Sequence, residues 1–349
     1  MQNQIEGAVA LYSSGQFKMA LKKVKGLVIE YPNEAILFNL SGACYSALSD
    51  FENAAKSYRE ALSINQNYVE VHNSLGVCLQ NLGNLEGAVS SYKNAIALSP
   101  NFAEAHNNLG NTYKELKQLD SAIGCYKKSI AIKPNFAYPY YNLGLIFHNQ
   151  NELLKAIQNY EKAIQINPNY FEAHNNLGGA LQYFGKMNLA VDSYKRAIEI
   201  KPNFVDAYIN LGIILTELGR LSEAEISLKQ AISISPKSAK ALNHIGNIYK
   251  DLGRLNDAEL NYRKAIQLEP NYANAYNNLG IILYASGNID SSIESLEKAH
   301  LISSESSLLL SVIRSKKLQQ KSGSKETKIL SSSDRLANNP LIINREVED

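Results

Sequence analysis

The chain has 349 residues, 45% of them hydrophobic and 19% charged, with a formal net charge of +2. That balance suits two ordinary folded domains or one extended array, and it excludes nucleic-acid or anionic-membrane binding through bulk charge, which rests on clustered Lys and Arg. The chain holds no apolar run long enough to span a bilayer, and its start, MQNQIEGAVALYSSGQF, has neither a basic leader nor a continuous apolar core, so no membrane span and no signal peptide are expected.

Cys44, Cys78 and Cys125 make neither a disulfide framework nor a zinc ligand set, which needs four ligands at tight spacing. Cys44 and Cys78 are 34 residues apart and read as one small packing position seen twice. A reducing, cytoplasmic setting suits them.

Internal repetition decides the fold. Pro32, Pro100, Pro134, Pro168, Pro202, Pro236 and Pro270 are all separated by multiples of 34, and Gln66 and Ser304 fill the two remaining slots, so nine units run in phase without insertion or deletion. Units counted from residues 1, 35, 69 and onward each read as two helices. The first unit is degenerate, with Gly7-Ala8 where later units carry Leu-Gly: Leu75-Gly76, Leu109-Gly110, Leu143-Gly144, Leu177-Gly178, Leu211-Gly212 and Leu279-Gly280. A turn follows the first helix, often at a glycine (Gly15, Gly83, Gly185, Gly219, Gly253, Gly287), where a left-handed backbone costs little. The second helix carries Ala, Tyr, Ala and Ile at i, i+4, i+7 and i+8, as in Ala88, Tyr92, Ala95 and Ile96, which is one face of a 3.6-residue helix. Proline then marks where that helix must end. The ninth unit drifts again, with Ser292 for Ala and Ser304 for Pro.

A single helix pair cannot bury its apolar face, whereas stacked pairs can. The NNLG motif, the turn glycine, the Ala-Tyr-Ala-Ile helix and the PNY ending together resemble the tetratricopeptide repeat over residues 1–306. The fold class this implies is all-α, a right-handed superhelical solenoid of about nine 34-residue helix-turn-helix repeats.

The resemblance also implies that the first helices line a concave groove. Counting in phase, the sixth position of a unit holds Asn108, Asn142, Asn176, Asn210 and Asn278, with Ser74 and His244 in two other units, and the fifth holds Asn73, Asn107, Asn175, Asn243 and Asn277. This recurrence is similar to the asparagine ladder in the repeat arm of O-GlcNAc transferase-like proteins. An Asn amide can pair with both the C=O and the N–H of an extended peptide. The expected peptide-binding residues are therefore Asn108, Asn142, Asn176, Asn210, Asn278, Asn107, Asn175, Asn277 and His244. A competing role for the same asparagines is bonding to the neighbouring repeat or to water. Basic clamp residues for a C-terminal carboxylate are confined to Lys240, and Glu70, Glu104, Glu172 and Asp206 form an acidic row at the second position, so a neutral or basic protein or peptide partner is favoured.

His72, His106 and His174 share a fourth position that Tyr140, Tyr208 and Tyr276 occupy elsewhere, and this marks an aromatic packing slot rather than a metal or catalytic site. The second-helix tyrosines Tyr92, Tyr126, Tyr160, Tyr194 and Tyr262 read as core, with hydroxyls reaching a partner at the edge. Phosphate-loop, nucleophile-elbow, HExxH and His-x-Asp motifs are all missing, so no catalytic residue, metal or cofactor is expected.

After the solenoid, residues 306–320 read as an amphipathic capping helix built on Leu309, Leu310, Val312 and Ile313, and residues 321–349 as a flexible linker and tail. The final NPLIINREVED resembles the segment that leads into a further domain in some bacterial tetratricopeptide proteins. Three functions stay open on this reading: a non-enzymatic peptide-binding scaffold, the substrate-recognition arm of a glycosyltransferase or oxygenase whose catalytic part is encoded elsewhere, and a self-associating structural solenoid, with no oligomeric state set by the residues.

Overall fold

A computed structural model describes residues 2–303, 310–315 and 317. Its helices keep the 34-residue phase without a slip. The first helices of the repeats are α1 Gln2–Ser13, α3 Ala35–Ala47, α5 Val69–Asn81, α7 Ala103–Glu115, α9 Ala137–Asn149, α11 Phe171–Tyr183, α13 Val205–Glu217, α15 Ala239–Asp251 and α17 Ala273–Ala285. The second helices are α2 Phe17–Glu30, α4 Phe51–Ile64, α6 Leu85–Leu98, α8 Leu119–Ile132, α10 Leu153–Ile166, α12 Met187–Ile200, α14 Leu221–Ile234, α16 Leu255–Leu268 and α18 Ile289–Ile302. No strand occurs among the described residues, and no helix there is long and apolar enough to cross a membrane. The chain divides into two compact units, residues 1–180 and 181–349, each a stack of helix-turn-helix repeats.

In the second to fifth repeats, the glycine of the first helix lies against the tyrosine ring of the second. A Cβ added at Gly42, Gly76 or Gly110 would come 2.6 Å from a ring carbon of Tyr58, Tyr92 or Tyr126, and one at Gly144 would come 2.5 Å from Tyr160. Glycine is required here because backbone and ring are already in contact. The second unit repeats the device with Gly246 against Tyr262 and, where the tyrosine is replaced, with Gly212 against Leu228 and Gly280 against Leu296. In the first repeat Ala8 stands in the glycine slot, and Val24 replaces the ring in the same buried cluster. Larger residue on one side, smaller on the other: the pair conserves volume.

Leu75, Val71, Cys78 and Tyr92 join Ala54, Tyr58 and Leu109 in one buried cluster, so the core runs continuously from the second repeat into the fourth. Cys44 and Cys78 are fully buried, and burial raises both thiols above their ordinary range. At the far end of the second unit, residues 310–315 are helical, and Leu310 and Ile313 bury against Leu296. Most of the expected capping segment, and the tail of residues 321–349, lie outside the described residues.

The residue before each proline is held extended, as at Ser99 (φ −135°, ψ 88°) and Lys201 (φ −130°, ψ 87°). Asn65, which precedes Gln66, takes the same shape (φ −131°, ψ 93°), so the turn does not depend on proline. The turn between the two helices of a repeat needs a left-handed residue. Glycine supplies it at six repeats, with φ between 71° and 84°, while Ser49, Lys117 and Asn151 adopt φ of 61°, 61° and 58° in the other three. A non-glycine side chain costs about 1–2 kcal/mol there, less for Asn. Lys117→Gly is therefore expected to raise stability by about 0.5–1 kcal/mol after the added entropy of the unfolded glycine is subtracted. Asn151→Gly should gain less, and urea-denaturation midpoints of the two variants will check the ranking.

The asparagine face of the first helices

One offset organises the polar residues of the first helices. Asn108 Nδ2 donates to Asn73 Oδ1 at 3.1 Å, Asn142 Nδ2 to Asn107 Oδ1 at 3.3 Å, Asn176 Nδ2 to the Tyr141 hydroxyl at 2.9 Å, and Asn278 Nδ2 to Asn243 Oδ1 at 3.0 Å. Each bond joins residues 35 apart, the sixth position of one repeat to the fifth of the repeat before. The same offset recurs near the C-terminal ends of the helices, where Gln80 Nε2 donates to Glu115 and Gln182 Nε2 to Glu217. The asparagines thus clasp adjacent repeats.

The amides differ in what this leaves. Asn107 and Asn142 are buried, with 6% and 7% of their surface exposed, and Asn175 is buried too, whereas Asn108, Asn176, Asn210, Asn277 and Asn278 are half-buried. Asn107 Nδ2 donates to Asn108 Oδ1 and Asn175 Nδ2 to Asn176 Oδ1, so Asn108 and Asn176 each give one hydrogen and accept one. The Asn142 Oδ1 accepts from Lys114 Nζ at 3.4 Å, and burial lowers that lysine from its ordinary range. Asn278 Nδ2 also donates to Asn247 Oδ1, which engages both its hydrogens. His244 is half-buried on α15, and desolvation with Lys240 beside it pushes the imidazole down to about 4, so it stays neutral near pH 7.

The second-helix tyrosines end on this face. Tyr126 and Tyr262 donate to Asn111 and Asn247 at 2.8 Å, and Tyr92 and Tyr194 to Gln80 and Gln182 at 3.2 Å. The repeat of α9 and α10 has Leu145 and His148 at those two positions. Its Tyr160 hydroxyl is the one buried side-chain polar atom without a hydrogen-bond partner among the described residues. Tyr160→Phe is therefore expected to change stability by less than about 0.5 kcal/mol or to stabilise, while Tyr126→Phe should cost about 1 kcal/mol, because it strands the Asn111 carbonyl. Thermal melts of the two variants separate these outcomes.

His72, His106 and His174 each set Nε2 at 2.8–3.1 Å from a backbone carbonyl six residues earlier, on Gln66, Pro100 and Pro168. Their role is thus more than packing, since the ring pins the turn between repeats. That bond was hidden in the sequence because Tyr shares the slot and has no ring nitrogen. The acidic row is also partly compensated: Glu104 pairs with Lys133 at 2.7 Å, and that bond holds its carboxyl below the ordinary range. No group of three or more His, Cys, Asp or Glu side chains able to hold a metal occurs among the described residues.

The sequence reading did not single out a cluster of rings in the fifth repeat. Phe136 meets Tyr138 at 5.6 Å between centroids, Tyr138 meets Tyr170 at 5.5 Å, and Tyr170 meets Tyr141 at 4.8 Å. The available signal was the placing of Tyr138 and Tyr141 in one helix at the second and fifth positions, which hold polar residues in most other repeats.

Comparison with known proteins places these repeats. The family described as TPR repeat matches residues 42–83, 81–117, 110–151, 146–182, 184–219 and 246–287, and the description Tetratricopeptide repeat matches 205–238 and 273–305. No curated protein matches the chain. Among solved structures, two of MamA are 31% and 30% identical, covering 46% and 48% of this chain and 94% and 92% of their own, each with a TM-score of 0.42. YrrB, described as a TPR protein with an unusual peptide-binding site, is 23% identical over 55% of this chain and 97% of its own, with a TM-score of 0.44. Together the sequence matches cover more than half of the chain, two of them opening at the first residue of α13 and α17, and on them the chain belongs to the tetratricopeptide repeat family.

Proposed function

We propose that the chain is a non-enzymatic scaffold that holds an extended protein or peptide segment along the asparagine-bearing face of its first helices. Tetratricopeptide repeat proteins typically bind protein or peptide partners, and this membership supports the general reading. The observation that carries the specific one is the hydrogen-bond balance of Asn108 and Asn176. An Asn amide has two N–H donors and two acceptor lone pairs. Each of these two uses one donor to the preceding repeat and one acceptor to its own helix neighbour. Among the described residues one donor and one acceptor remain on each, the pair that a single peptide unit of a ligand needs. Recognition through backbone groups tolerates varied side chains, so the scaffold would hold a segment by its extended shape. Glu70, Glu172 and Asp206 at the second position bias the choice toward a neutral or basic segment. The free thiols of Cys44, Cys78 and Cys125 are consistent with work in a reducing cytoplasm.

The test is selection of binders from an unbiased library of twelve-residue peptides, followed by affinity measurement with Asn108→Ala and Asn176→Ala. Each substitution is expected to weaken unrelated binders alike, by about three- to tenfold, the worth of one net hydrogen bond. Undiminished affinity in both variants would place the ligand on another surface.

A further inference from the structure

Repeats four and six bracket the fifth with an internal pattern. In repeat four Lys133 Nζ lies 5.2 Å from the Phe136 ring centroid and 2.7 Å from Glu104 Oε1, a cation held between a ring and a carboxylate. In repeat six Lys201 Nζ lies 5.5 Å from the Phe204 ring centroid. The residue midway, 34 from each lysine, is Asn167, and its Oδ1 already accepts the Asn169 amide in the turn. The ring midway between Phe136 and Phe204 is Tyr170. So the fifth repeat keeps the aromatic platform and has no lysine to set on it.

That platform is also larger than its neighbours'. Tyr138, 55% exposed, packs edge-on against Tyr170, and Tyr141 tilts against Tyr170 as well. Glu172 follows Tyr170 by two residues in the first turn of α11; burial, and next the nearby Glu172 carboxylate, raise the Tyr141 hydroxyl above its ordinary range. No ion pair forms at Glu172 among the described residues. Ring faces carry negative electrostatic potential and attract cations, and a carboxylate at the same place adds to that attraction.

We propose that Tyr138, Tyr141, Tyr170 and Glu172 form a subsite for a basic side chain, arginine before lysine, presented by the bound peptide. The cation occupies in trans the place that Lys133 and Lys201 occupy in the flanking repeats. Arginine is favoured because its planar guanidinium stacks on an exposed ring while its edge reaches a carboxylate. The subsite deepens the peptide-binding reading by fixing the register of the ligand at one point of an otherwise sequence-tolerant face.

Two probes separate this subsite from the asparagine face on which it builds. The first is N-acetyl-arginine methylamide against N-acetyl-glutamine methylamide, titrated into the full chain carrying ring-labelled tyrosine and read by NMR. The arginine probe is expected to shift the Tyr138 and Tyr170 ring signals saturably, the glutamine probe to leave them unmoved, and Glu172→Gln to weaken the arginine response about threefold. The second is an alanine-based nonapeptide with a central Arg or Gln, for which Arg is expected to bind about fivefold tighter. Asn108→Ala should weaken both nonapeptides equally without touching the response to the small arginine probe. Equal response to the two small probes would overturn the subsite while leaving the asparagine face standing. A response to the arginine probe with nonapeptide binding indifferent to Asn108 would uphold the subsite and sink the face, and silence from every probe would overturn both.

Discussion

Gly110→Ala is expected to destabilise the chain by about 2 kcal/mol, and Gly124→Ala, in the same repeat, to stabilise it by about 0.5–1 kcal/mol. Both glycines lie inside helices, so alanine brings the same propensity gain of roughly 1 kcal/mol to each. Packing decides the sign. A Cβ at Gly110 would stand 2.6 Å from Cε1 of Tyr126, a ring that is wholly buried and cannot swing aside, whereas nothing lies within 4 Å of a Cβ at Gly124. Overpacking a closed core costs about 1–3 kcal/mol, and a contact this short belongs near or beyond the upper end. The first repeat supplies the compensated form, Ala8 with Val24. Gly110→Ala combined with Tyr126→Val should accordingly cost less than the sum of the single changes, a coupling that denaturation midpoints of the four chains will measure.

Asn142→Ala is the second large effect, at about 1–3 kcal/mol of lost stability. Removing the amide takes the acceptor from the half-buried Lys114 ammonium and the donor from the buried Asn107 Oδ1, so two polar groups lose a partner in one substitution. Asn108→Ala removes a less buried amide and should cost about 1 kcal/mol. Guanidine unfolding curves will rank the two, with Asn142→Ala the lower midpoint. Lost binding in an Asn142 variant is consequently ambiguous, because the repeat interface loosens with it. Asn108 and Asn176 are the better probes of ligand contact.

Much of this architecture was legible in the residues because the repeat never slips. Seven prolines in one phase marked the ends of seven second helices, and Leu-Gly opposite Ala-Tyr-Ala-Ile identified the close approach that the glycine–tyrosine contacts make explicit. Local signals were weaker where the fold imposes a conformation on a residue that does not advertise it. Lys117 is left-handed because the turn between α7 and α8 demands it, and nothing in the lysine side chain announces that. The candidate face divides in the same way. That Asn recurs at the fifth and sixth positions is plain in the sequence, but the 35-residue pairing of one with the other depends on how far consecutive first helices shift along their axes. The bonding of asparagine to the neighbouring repeat is now seen at Asn108, Asn142 and Asn278. It coexists with the ligand role proposed at Asn108 and Asn176, since each keeps one donor and one acceptor. The rings of Tyr138, Tyr141 and Tyr170 escaped notice because they are scattered over 33 positions and meet only when α9 packs beside the turn that precedes α11.

The most direct measurement is photocrosslinking of library-selected peptides carrying a photoreactive group at their centre, with the attachment sites read by mass spectrometry. Binding along the asparagine face predicts attachment to the first helices, on α7, α9 and α11 near Asn108 and Asn176. Attachment confined to the second helices, α6, α8 and α10, would contradict it.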